Sequence, residues 1–147
     1  MKKRDILADL PSRGQIQDPA FAVKLHLQGA AGLNLITGYG AGYVAVNGAR
    51  HTASLLLTAD TLLRWAPASF AELIAGHFET VLPLAPEILV LGTGARLQFP
   101  APPLTRALVE ARIGLEVMDT AAACRTYNIL MGEGRRVAAA LIIDPAA

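Results

Sequence analysis

Gly92-Thr93-Gly94 follows the apolar run Ile88-Leu89-Val90-Leu91. Small residues at the C-terminal end of a buried strand stand where open α/β sheets collect ligands, because backbone N–H groups there can approach an anion. Two polar side chains further along could complete such a site: Arg125 and Asn128 lie one helical turn apart after Asp119, away from the stripe Ala123, Tyr127 and Leu130. A guanidinium offers paired N–H donors that hold a carboxylate or phosphate with an orientation lysine would not impose. The candidate anion-binding set is therefore Gly92, Thr93, Gly94, Arg125 and Asn128. The plainer reading makes Gly-Thr-Gly a structural turn and pairs Arg125 with Asp119 or a loop carbonyl. A dinucleotide fingerprint is not adopted, since Leu97 stands where its third glycine belongs and Pro100, Pro102 and Pro103 keep the next helix from opening on the glycines. No cofactor is expected.

Other reactive residue types carry less. Cys124 lies beside Arg125 near a helix start, conditions that lower a thiol pKa, yet its alanine-rich helix favours a small buried hydrophobe. His26, His51 and His77 have no Cys, Asp or Glu at ligand spacing, so no metal site is expected. Serines and threonines are present without a Gly-x-Ser-x-Gly elbow. No residue is assigned a catalytic role.

The elements that must position these groups are read from composition and pattern. A chain of 147 residues suits one domain, and 53% hydrophobic against 17% charged residues fits a sheet covered on both faces and a self-association or partner surface. A homo-oligomer is compatible with that composition. A formal charge of +1 is too near neutral for a nucleic-acid reader, whose affinity rests on phosphate neutralisation. The single cysteine cannot form an internal disulfide. The beginning MKKRDILADL meets Asp5 and Asp9 before any apolar run, unlike a signal or transit peptide. No stretch approaches the roughly 20 apolar residues of a membrane span. A cytoplasmic protein is the expectation.

Residues 1–20, with Pro11, Gly14 and Pro19, are expected to form an arm, and 21–147 a single α/β domain. Phe21 to Gln28 alternates as a half-buried strand, Leu33 to Thr37 resumes it, and Gly38 to Gly42 is a break. Asn47-Gly48 predicts a type I′ hairpin, with Ser54 to Thr58 continuing its second strand. Thr61 to Trp65 is open between strand and helix. Ser69 and Glu72 form a capping box before a helical face of Phe70, Leu73, Ile74, His77 and Phe78. Ile88–Leu91, Leu115–Met118 and Val137–Ile143 read as neighbouring buried strands, joined by helices over Leu104–Ile113 and from Asp119 to the stop at Gly132-Glu133-Gly134. The fold class is three-layer α/β, with a mixed central sheet and a β-rich antiparallel N-terminal half.

Gly-Thr-Gly after a buried strand, then GLEVMDTAAACRTYNILMGEGRRVAAALI, with the earlier Gly-Tyr, Val-Asn-Gly and Trp65, resembles the family of mitochondrial respiratory complex I assembly factor 3 and its uncharacterised bacterial and archaeal homologues. The resemblance spans roughly residues 15–143. It implies a three-layer α/β domain and, in the mitochondrial branch, a non-enzymatic role in building NADH:ubiquinone oxidoreductase. For the prokaryotic branch it implies only a domain of unknown function. Against the mitochondrial members, the chain is expected to lack a presequence. The expected function is a non-catalytic assembly or adaptor protein, with protein partners that on the resemblance include respiratory-complex subunits. The alternative is a small-molecule (anion) binder or enzyme using Gly92–Gly94 with Arg125.

Overall fold

A computed structural model describes residues 32–145. The strands are β1 (Ile36–Gly40), β2 (Tyr43–Val46), β3 (Ala49–His51), β4 (Leu55–Leu57), β5 (Leu62–Arg64), β6 (Ile88–Gly92), β7 (Gly114–Met118) and β8 (Val137–Leu141). The helices are α1 (Ala75–Glu79), α2 (Arg106–Glu110) and α3 (Thr120–Gly132). The first three strands make an antiparallel sheet, and the other five make a mixed sheet in the order β5-β4-β8-β6-β7. β4 runs antiparallel to β5 and β8, while β6 runs parallel to β7 and β8. The N-terminal arm over residues 1–20 and the strand expected over Phe21–Gln28 lie outside the described residues.

Three layers result. On one face of the mixed sheet, Val90, Val137, Ala139 and Leu141 pack with Cys124, Tyr127 and Met131 of α3 and with Ile36, Val44 and Val46 of the small sheet. On the other, Leu89, Leu91, Ala138 and Ala140 meet Phe78 of α1, Leu108 of α2 and Trp65. The crossover from β6 to β7 and the longer return from β7 past β6 to β8 run in opposite directions, so crossovers of one hand place α2 and α3 on opposite faces. Trp65 is held on the α1 side by its Nε1–H, which donates to the His77 carbonyl at 3.2 Å, and by an edge contact with Phe78.

Local chemistry explains the turns. Asn47 and Gly48 have φ of +51° and +85°, the pair of positive angles that a type I′ turn demands. The Asn47 side chain also accepts from the Leu35 N–H at 3.0 Å and donates to the Leu33 carbonyl at 3.0 Å, so the turn residue pairs with the chain entering β1. Asp119 caps α3, its Oδ1 accepting from the Ala122 N–H at 2.8 Å. Gly134, at φ +79°, ends the helix. Asn34 donates to the carbonyls of Thr58 and Thr61 across the β4–β5 turn, and the Tyr127 hydroxyl donates to the Asn34 carbonyl at 2.7 Å.

Several expectations change. The strand expected over Leu33–Thr37 lies further along, and β1 runs through Gly38 to Gly40, leaving only Ala41-Gly42 as the turn. Tyr43 covers Gly40 across the hairpin, so the glycine that looked like a breaker is a seat for an aromatic ring. Ser54 does not continue the hairpin. The chain changes sheets after His51, and the buried Ser54 hydroxyl accepts from the Ile143 N–H at 3.0 Å, satisfying the backbone just past β8. Thr61 to Trp65 resolves as strand β5. The capping box does not form: Glu72 accepts from the N–H of Ala68, the residue before the cap, Ser69 makes no side-chain cap, and Leu73 turns extended and buried, splitting the expected helix into a 3-10 turn at Phe70–Glu72 and α1. The helix expected over Leu104–Ile113 is likewise a 3-10 turn at Pro102–Thr105 followed by α2, with Leu108 buried and Ala111 exposed. β7 neighbours β6 as expected but is an edge strand, only half-buried, and Glu116 points charge along the rim, where it discourages pairing with another chain.

Amide exchange should follow this order, with β8 and β6 among the slowest segments and β7 measurably faster; rapid exchange across Val137–Leu141 would contradict the topology.

A second expectation concerns alkali. Burial pushes the Cys124 thiol up from 9.0 to about 12, the nearby Arg125 charge opposing and Asp119 adding. Burial also pushes Tyr127 above its ordinary 10.0, with Asp60 adding. Both groups keep their protons in the folded state after the unfolded chain has released them, so the stability they contribute is full below about pH 9 and falls as pH rises beyond it. Urea midpoints measured from pH 7 upward should show that decline, and Tyr127→Phe should flatten the part above pH 10; a midpoint constant to about pH 11 would show that neither proton matters to folding.

Candidate functional site

The Gly92–Gly94 segment ends β6 as expected, and its backbone is engaged within the protein. Gly92 sits in the sheet ladder between Met118 and Leu141, and a Cβ there would come 2.9 Å from the Thr120 Cα. The Thr93 N–H donates to the Met118 carbonyl at 2.9 Å, and its buried hydroxyl donates to the Arg96 carbonyl at 2.7 Å. The Gly94 N–H donates to the Thr120 hydroxyl at 2.9 Å, and the Gly94 carbonyl accepts from the Thr120 N–H at 2.9 Å. That same hydroxyl donates to the Ile142 carbonyl at 2.7 Å, so one side chain ties the ends of β6 and β8 to the start of α3. Gly94, at φ +101°, is also where a Cβ would meet the Asp144 carboxylate, which accepts weakly from the Ala95 N–H at 3.4 Å. The chain's own carboxylate lies over the loop.

Arg125 and Asn128 take the other direction, toward β1. The Arg125 Nη1–H donates to the Tyr39 hydroxyl at 2.8 Å, with its guanidinium carbon 5.8 Å from the ring centre. That hydrogen bond, followed by the charges of Tyr39 and Asp119, raises the pKa of an already permanent cation. Asn128 behaves as a strand neighbour: its Nδ2–H donates to the Ile36 carbonyl at 2.7 Å and its Oδ1 accepts from the Ile36 N–H at 3.0 Å. The candidate residues thus divide into a glycine turn stitched to Thr120 and two helix side chains bound to β1.

Between these groups lies a cleft of about 380 Å³, walled by the β1–β2 hairpin with Tyr39 and Tyr43 and floored by Gly94, Thr120 and Ile143, with the carboxylates of Asp119 and Asp144 in its lining. Tyr43 is fixed between Gly40 and Arg50, whose guanidinium carbon stands 3.8 Å over the ring. The sequence reading missed Tyr39, Thr120 and Asp144 as site residues. Thr120 could have been found as the residue following a helix cap, whereas Tyr39 carries no local signal. Cys124 is fully buried in the core of α3, and no group of three or more His, Cys, Asp or Glu among the described residues is placed to hold a metal ion. Nor is any helix among them long and apolar enough to cross a membrane.

Thr120 supplies the decisive test of how the loop is held. Thr120→Val leaves the Gly94 N–H and the Ile142 carbonyl without their partner and should cost about 2–4 kcal/mol, whereas Thr120→Ser keeps the hydroxyl and should cost about 1 kcal/mol or less. Equal urea midpoints for the two variants would show that the hydroxyl bridge is dispensable.

Comparison with known proteins now places the chain. Residues 36–142 match the family described as "Protein of unknown function (DUF498/DUF598)". The bovine NADH dehydrogenase [ubiquinone] 1 alpha subcomplex assembly factor 3 is 36% identical over 112 residues, covering 75% of this chain and 61% of that protein. An uncharacterised protein of Rhodobacter capsulatus is 37% identical over 119 residues, covering 81% of this chain and 92% of its own. A solution structure of a Bordetella pertussis protein described as an Mth938-like domain superposes with a TM-score of 0.70 at 33% identity, covering 89% of this chain and 92% of that one. With the matched region spanning both sheets and the whole of α3, the chain belongs to the DUF498/DUF598 family, which it shares with these relatives.

Proposed function

We propose that this protein is a non-catalytic assembly or adaptor protein, and that it serves the building of NADH:ubiquinone oxidoreductase in its host. The observation that carries the reading is the similarity to the bovine assembly factor over three quarters of the chain. The chain spans 61% of that relative's length. Local chemistry agrees with a binding role. Its cysteine is a core side chain, and its candidate polar residues are tied to backbone or to a tyrosine rather than poised as a nucleophile with a base.

The small-molecule alternative draws on the cleft at the strand ends, a placement where α/β sheets bind ligands. As an anion cradle it is disfavoured, because the Thr93 and Gly94 N–H groups already have acceptors and the ionised side chains in the lining are carboxylates. Purification from the host separates the readings: a stoichiometric protein supports the adaptor, a co-purifying metabolite supports the alternative.

The specific version is tested by deletion in the host. Loss or strong reduction of assembled NADH:ubiquinone oxidoreductase on native gels, restored by the wild-type gene and with other respiratory assemblies intact, is the expected result. A deletion strain with the complex at normal abundance removes this role.

A further inference from the structure

The side of α3 that carries Arg125 also carries Ile129, one turn further on, and a helix brings residues four apart onto the same face. Ile129 is 60% exposed and Tyr39 is 36% exposed. These are large side chains on a surface where solvent gives them no stabilisation. The Tyr39 hydroxyl takes one N–H of the guanidinium, and the remaining donors have no hydrogen-bond partner among the described residues. Asn128, lying between Arg125 and Ile129 in the chain, holds both backbone groups of Ile36, so helix and hairpin cannot separate without breaking two hydrogen bonds. The surface is therefore pre-ordered, which removes part of the entropy cost of docking. Tyr and Arg are also the side chains that most often dominate binding energy at protein interfaces.

We propose that Tyr39, Arg125 and Ile129 form the surface on which this protein docks an acidic, partly apolar segment of its protein partner. Arg125 meets a carboxylate of that segment and Ile129 an apolar side chain next to it. Charge complementarity selects this occupant: the guanidinium is a fixed cation whose remaining donors have no partner among the described residues, and a carboxylate is the group that uses a pair of such donors in full. Asp119, at the start of the same helix, already accepts from the Ala122 N–H. The proposal rests on the adaptor reading and supplies its contact surface.

The test places the photoreactive residue p-benzoylphenylalanine at position 129 and, separately, at position 109 in the full chain expressed in its host. Val109 is 72% exposed on α2, across the mixed sheet from α3, and serves as a control surface. The expected result is a discrete crosslinked protein from position 129 only, mapped to a segment bearing Asp or Glu. With that partner purified, Arg125→Glu should weaken binding about tenfold or more, and reversal of the partner's carboxylate to lysine should restore it. Arg125→Lys, which keeps the charge and loses the fork, should give an intermediate loss, with unfolding midpoints checking that all variants fold. Crosslinks from 109 but not from 129 overturn this surface and leave the adaptor reading standing, whereas none from either position counts against both. A crosslink from 129 whose partner binds Arg125→Glu as well as wild type overturns the acidic partner.

Discussion

β8 has no exposed residue and no free edge, and that condition ties the two halves of the chain together. On one side it pairs antiparallel with β4 and on the other parallel with β6, so the sheet must be mixed. Its sequence, Val-Ala-Ala-Ala-Leu, fits a strand pressed between two layers. Ala139 leaves room for Tyr127 and Val90 on the α3 face, and Ala138 and Ala140 leave room for the opposite layer. Larger side chains there would overpack both cores at once, at a cost of about 1–3 kcal/mol each.

One small side chain of that strand, Ala139, lies on the face that α3 covers. At the helix start the approach is close enough for the Thr120 hydroxyl to reach both Gly94 and Ile142. Gly92 is needed for the same reason, since any Cβ would collide with the Thr120 backbone. Small residues at the end of β6 therefore serve a close approach of protein to protein, the use that glycines share with anion cradles. Type and spacing alone do not distinguish the two uses.

That ambiguity shows how far the sequence could be read. Elements appeared correctly where local chemistry and tertiary need agree: Asn47-Gly48 at a turn requiring two positive angles, Asp119 before an apolar stripe, and the apolar runs of β6 and β8. The change of sheet after His51 was illegible because alternation looks the same in either sheet. The capping box misled because Leu73 gains more from the core beside Trp65 and Phe78 than from continuing a helix. At the site, Arg125 and Asn128 both lie off the core stripe and turn to β1. Their partners, 86 and 92 positions away, were beyond any local pattern.

The two partnerships have unequal consequences. Asn128 satisfies both backbone groups of Ile36 from a part-buried position, so it acts as one more rung of sheet and fixes where the hairpin stands. Tyr39 then lies three residues further along β1, within reach of a guanidinium one turn earlier on α3. The exposed Arg125–Tyr39 contact adds little to folding, because water competes for both groups. Its physical effect is to restrict a long, mobile side chain to one region of the surface. A part-buried amide thus positions the hairpin, the hairpin positions a tyrosine, and the tyrosine holds a cation at the surface, so the order of the core is passed outward to two exposed side chains.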